Sequence, residues 1–219
     1  DPVWADVVPV PLNQSAETQL VPIAYAPEYA EAMGYLRAVM AADECSPRAL
    51  DLTERIIRSN PAHYTVWHYR ADPLTETALM DYERELLNEL ALDHPKSYQI
   101  WHHRQTVIQL TNDPVGELTF IMQALEDDSK NYHAWGYRQW LVQQFALWDR
   151  EIADTDALLV SDVRNNAAWN ERFFYWVQGP RRGRLSADDV EAELRFIAHH
   201  LSRAPNNESP WVYLRGLIR

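Results

Sequence analysis

The sequence predicts an all-α protein: a right-handed crescent, or alpha-alpha superhelix, of antiparallel helical-hairpin repeats. Three observations lead there. Trp67, Trp101, Trp135 and Trp169 follow one another at steps of 34 residues, and a period of that size belongs to solenoids of helical hairpins. The tryptophans sit in a recurring phrase, Tyr64, Trp67, Arg70, then Tyr98, Trp101, Arg104, then Tyr132, Trp135, Arg138. A later copy keeps Trp169 and Arg172 without the tyrosine, and a last one runs from Ser209 to Arg215 around Trp211. Spaced three apart on a helix, the Tyr, Trp and Arg side chains are expected along one face. Third, 219 residues with 47% hydrophobic side chains and only 6 glycines can bury a large core in long helices.

The elements follow in order. Residues 1–30 hold Pro2, Pro9, Pro11, Pro22 and Pro27, which suits an extended N-terminal arm, and residues 31–219 read as a solenoid of five hairpin repeats, the last truncated. Ser46-Pro47 provides an N-cap and a first-turn proline for the first A helix, which runs to Asn60-Pro61. Its partner carries Trp67 and should be short, because Asp72-Pro73 interrupts it; an interior proline costs about 3 kcal/mol. The second A helix opens around Thr75 to Thr77 and ends at His94-Pro95, and its B helix starts near Ser97. The third pair opens at Asp113-Pro114 and at Asn131, the fourth at Trp148 and Ala167. Gln178 to Arg184 is a Gly/Pro/Arg loop, and it accounts for the longer step of 42 residues from Trp169 to Trp211. Ser186 caps the fifth A helix.

Composition excludes several kinds of chemistry. With 20 Lys and Arg against 32 Asp and Glu, the net charge is -12. So acidic a chain has no general attraction for nucleic acid or an anionic membrane surface. No apolar run is long enough to insert in a membrane, and Cys45 is the single cysteine, which points to a reducing, cytoplasmic setting. Adjacent His102-His103 and His199-His200 lack the i, i+4 spacing that directs two imidazoles at one metal, so no metal site is expected. No phosphate-binding Gly-rich loop or nucleophile elbow is present.

The recurrent Trp and Arg have a structural reading first. An indole fills the gap between neighbouring helices, and the arginine reaches a helix end or a carboxylate. The architecture is tetratricopeptide-like, yet in tetratricopeptide repeats the tryptophan stands in the first helix and is followed by Leu-Gly, whereas here it opens the second helix and is followed by arginine.

With this signature the chain resembles the alpha subunits of protein farnesyltransferase and protein geranylgeranyltransferase type I, which are built of prenyltransferase alpha repeats. The blocks that carry the likeness are Trp4 to Pro11, Pro95 to Arg104, Lys130 to Trp140 and Asp162 to Asn170. Ser97 departs from the family's usual Asn. The resemblance implies a heterodimer with a beta subunit that binds zinc, with magnesium accompanying the diphosphate. It implies transfer of a farnesyl or geranylgeranyl group to the cysteine thiol of C-terminal C-a-a-X proteins such as small GTPases. Carried over residue by residue, Lys96 and Tyr132 stabilise the diphosphate, Asn131 and His133 lie beside it, Tyr98 lines the same rim, and Gln99 meets the peptide carboxylate. A lysine at a helix start, where backbone N–H groups already favour anions, suits that task. Two other readings fit such repeats: a non-catalytic peptide-binding scaffold, and the alpha subunit of the type II enzyme that prenylates Rab proteins.

Overall fold

The computed structural model describes residues 2–11, 23–71 and 77–218, apart from the side chains of residues 77 and 78. Among the described residues there are eleven α-helices and no strands. They are α1 (Pro27–Ala41), α2 (Pro47–Ser59), α3 (Tyr64–Ala71), α4 (Thr77–Asp93), α5 (Tyr98–Thr111), α6 (Glu117–Asp127), α7 (Tyr132–Phe145), α8 (Glu151–Ser161), α9 (Asn166–Gln178), α10 (Ala187–Arg203) and α11 (Glu208–Leu217). The chain falls into two compact units, residues 1–113 and residues 114–219. In the first, α2 packs on α1 and α3, and α5 on α3 and α4; in the second, α9 packs on α7, α8 and α11, with α6 against α7 and α10 against α11.

Local chemistry sets the helix starts. Ser46 accepts from the Ala49 amide ahead of Pro47. Asn131, Asn165 and Asn207 cap α7, α9 and α11 through their carboxamide oxygens, and Ser186 with Asp189 forms a capping box at α10. Three boundaries depart from the sequence reading. Helix α1 begins at Pro27, so the last residues of the expected arm are helical, and proline at the first helical position loses no hydrogen bond. The described arm makes a 3-10 turn at Pro2–Trp4. The third A helix starts at Glu117 instead of Pro114, because Gly116 turns left-handed at φ 86° and the Asp113 carboxylate receives Arg84 at 2.9 Å. Helix α3 is short, ending at Ala71, while the loop expected at Asp72-Pro73 lies outside the described residues.

The repeat phrase divides across the helix surface. Trp67, Trp101, Trp135 and Trp169 are buried, as are Arg70, Arg104, Arg138 and Arg172, but Tyr64, Tyr98 and Tyr132 are 75%, 67% and 77% exposed. The expectation of one shared face fails because each step of three falls short of the 3.6-residue turn, so the arginine lies about 120° around from the tyrosine. Each indole Nε1 also donates backwards to the carbonyl six residues earlier: Pro61 at 2.8 Å, Pro95 at 2.9 Å, Ser129 at 3.0 Å and Val163 at 2.9 Å. The tryptophan therefore fills the core and pins the turn that leads into its own helix.

Arg70, Arg138 and Arg172 reach carboxylates, one of the two partners their recurrence predicted. Arg70 pairs with Glu83 at 2.7 Å and Arg138 with Glu151 at 2.6 Å, both 13 residues on; Arg172 pairs with Glu193 at 2.7 Å, 21 residues on. That separation lengthens with the Gly/Pro/Arg loop, as the tryptophan step does. The last copy differs in register: Leu214 stands where the arginine belongs, and Arg215, one residue later, is exposed.

Candidate functional site

The six candidate residues form two triplets, each on the first turn of a B helix, one in each compact unit. At α5 the turn Pro95-Lys96-Ser97 delivers Tyr98 and Gln99. Lys96 and Tyr98 are exposed and Gln99 is half-buried, with the Ser97 hydroxyl donating to Gln99 Oε1 at 3.3 Å. Ser97 is the residue before the helix but makes no side-chain cap, so the first backbone N–H groups of α5 are left to other acceptors. Beside them runs an open groove of about 440 Å³, lined by Asn60, Pro61 and Ala62 from the turn before α3 and by Lys96, Tyr98 and Gln99. A cation, a phenol and an amide around a helix start form a surface suited to an anion with an apolar tail.

At α7 the arrangement is tighter. Asn131 is buried, and its side-chain oxygen accepts from the His133 amide at 2.9 Å and the Ala134 amide at 3.1 Å. Its oxygen thus fixes the backbone on which its two neighbours stand. Tyr132 projects outward, and its ring meets that of half-buried His133 edge-on at 5.7 Å. Burial pushes the His133 imidazole below its ordinary pKa, which favours the uncharged ring. Lys130, just before the turn, is 3.6 Å from Asp162.

The repeat-equivalent Tyr64 presents the same exposed phenol at the start of α3, and Asn60 to Ala62 extend the α5 groove beyond the residues the sequence singled out. The signal was there: Tyr64 precedes Tyr98 by one repeat, and a tyrosine kept exposed in three copies is not core filling. Among the described residues no three His, Cys, Asp or Glu side chains gather to hold a metal ion, so the donors present do not fit a zinc site.

Comparison with known proteins places these features in a family. Five segments match the protein prenyltransferase alpha subunit repeat: residues 46–72, 80–111, 115–145, 148–178 and 190–219. The chain belongs to the protein prenyltransferase alpha subunit family. The repeats of this family fall here on the pairs α2 with α3, α4 with α5, α6 with α7, α8 with α9, and α10 with α11. The chain is 39% identical over 226 residues to a Dictyostelium discoideum protein farnesyltransferase/geranylgeranyltransferase type-1 subunit alpha, covering 100% of this chain and 70% of that one. It is 50% identical over 221 residues to the Arabidopsis thaliana subunit of the same name, covering 99% and 67%, and 47% identical over 222 residues to that of Pisum sativum, covering 100% and 66%. It thus spans about two thirds of the length of these prenyltransferase relatives. Among solved structures, Candida albicans protein geranylgeranyltransferase-I complexed with GGPP superposes with a TM-score of 0.84 at 34% identity, over 97% of this chain and 73% of that one. No helix among the described residues is long and apolar enough to cross a membrane.

Proposed function

We propose that this chain serves as the alpha subunit of a heterodimeric protein prenyltransferase, which transfers a farnesyl or geranylgeranyl group from its diphosphate to the cysteine thiol of a C-terminal C-a-a-X sequence in the cytoplasm. The observation that carries this reading is the match to relatives named for that activity along the whole chain, including both helix starts that bear the candidate residues. Zinc belongs in this reading to the beta subunit and magnesium to the diphosphate; the chemistry assigned to this chain needs neither as a ligand.

The reaction forms a sulfur–carbon bond at the first carbon of the isoprenoid and breaks the carbon–oxygen bond to the diphosphate, whose oxygens keep the bonding pair. Negative charge therefore grows on the leaving group in the transition state. Lys96 and the Tyr132 hydroxyl act as donors to that growing charge, and donors of this kind accelerate the step because they bind it more strongly than the ground state. Tyr98 lines the rim beside Lys96. Asn131 holds the turn that carries Tyr132, and the His133 ring supports the phenol edge-on. Gln99, half-buried beside the groove, receives the peptide carboxylate.

Single-turnover kinetics on the chain reconstituted with a beta subunit test these assignments. Lys96→Ala should slow the chemical step by about 10- to 1000-fold, the loss expected for one charge-stabilising donor. Tyr132→Phe should cost less, and Gln99→Ala should weaken peptide binding while the chemical rate is nearly kept. An unchanged single-turnover rate for Lys96→Ala would remove that lysine from the mechanism.

A further inference from the structure

One glutamate at the same place in successive repeats, Glu83, Glu117 and Glu193, meets a side chain from the B helix of its own repeat. Glu83 lies 2.8 Å from His103 Nε2, Glu117 accepts the Tyr137 hydroxyl at 2.6 Å, and Glu193 accepts the Tyr213 hydroxyl at 2.6 Å. In all three cases the donor comes 20 residues after the glutamate and two residues after its repeat's tryptophan. The remaining copy, Glu151, has Glu171 at that place, and Glu171 is completely buried. Gln139 donates to one of its oxygens at 2.8 Å, and the other, Oε1, has no hydrogen-bond partner. An ionised carboxylate can only accept, so it could not take the donor's part.

The geometry points to Glu171 as a buried proton site: its carboxyl is held neutral in the folded chain and donates to Glu151, replacing the imidazole or phenol of the other repeats. The surrounding charges agree. Helix α9 packs on α7, α8 and α11. From α7 comes one cation, Arg138, whose Nε and Nη2 are already engaged by Glu151 and Asp154 of α8, with Nη1 unpaired. On the far side, Arg172 is taken by Glu193 of α10 and Asp156 of α8, and Tyr213 of α11 and His200 of α10 gather around Arg172 and Trp169. An ionised Glu171 would be a third carboxylate around a single guanidinium, out of water. Burial, and then the Glu151 charge, push the Glu171 carboxyl up to about 8.

Because the folded form holds this proton and the unfolded chain releases it near pH 4.5, stability from this site is complete in acid and lost as pH rises toward about 8. Glu171→Gln provides a permanent neutral donor of the same shape. On the purified chain, together with any subunit that co-purifies, infrared spectra in D2O at pH 7 should show a protonated-carboxyl band that Glu171→Gln removes. In urea titrations, the ratio of unfolding constants between the native chain and Glu171→Gln should rise by up to tenfold per pH unit between about 5 and 8 and then level off. If Glu171 is instead ionised and paired with Arg138 Nη1, the band is absent and the variant is less stable at pH 7 without that trend, which overturns the assignment. Should Glu171→Gln fail to fold, the native spectrum alone decides: no carboxyl band at pH 7 refutes the proposal, and one that fades as pH passes about 8 supports it.

Discussion

Arg70 ties three elements together with one side chain. From α3 it forks onto Glu83 of α4 at 2.7 Å, and its other arm reaches the Leu50 carbonyl at 2.7 Å and the Thr53 hydroxyl at 2.8 Å on α2. Burial opposes ionisation of Glu83, but His103 and Arg70 outweigh it and hold the carboxyl below its ordinary value. A depressed carboxyl stabilises the fold fully above its unfolded value near 4.5 and loses that contribution as pH falls through the folded one. Arg70→Met should therefore cost about 3 to 5 kcal/mol at neutral pH, since it leaves a buried carboxylate short of its main partner. It should also flatten the loss of stability below pH 4.5. Chemical denaturation at pH 7 and at pH 3 would measure both, and a loss equal at the two pH values would argue that Arg70 acts through packing alone.

At the scale of the helix, two starts that look alike in sequence behave differently. Asn131 accepts from two amides of α7, whereas Ser97 caps nothing at α5. Asn131→Ala should cost about 1 kcal/mol, and Ser97→Ala should stay within about 0.5 kcal/mol. Urea midpoints for the two variants would show this difference, and equal losses would mean that capping is not what distinguishes the turns. The helix pairs themselves were legible from the sequence, because prolines, Asx and Ser caps and the tryptophan step are local signals. The start of α6 was not. Pro114 reads as a first-turn proline, but the decision lay with Gly116 and with Arg84, 29 residues before Asp113, and pattern reading along the chain carries no such contact. The candidate site was legible as positions. That Asn131 is buried as a cap while Tyr132 stands in solvent depended on which side of α7 meets the core.

For the molecule as a whole, the prediction is spectroscopic: far-UV circular dichroism should be strongly helical, and substantial β signal would contradict the repeat architecture. The sequence by itself determined the helical class, the 34-residue period, the pairing of helices and the family likeness. The first three rest on periodicity and capping, which act between residues close along the chain, and the likeness rests on the motif blocks from Trp4 to Asn170. The tertiary structure decided which side of each B helix is inside, placing arginine with the core and tyrosine with solvent. It also decided which glutamates Arg70, Arg138 and Arg172 reach, and that Glu171 is buried beside Glu151 with Gln139 donating to only one of its oxygens. Those outcomes depend on desolvation and on partners 13 to 32 residues distant. A charge has no fixed energy along a sequence; it acquires one when folding removes water and fixes what stands beside it.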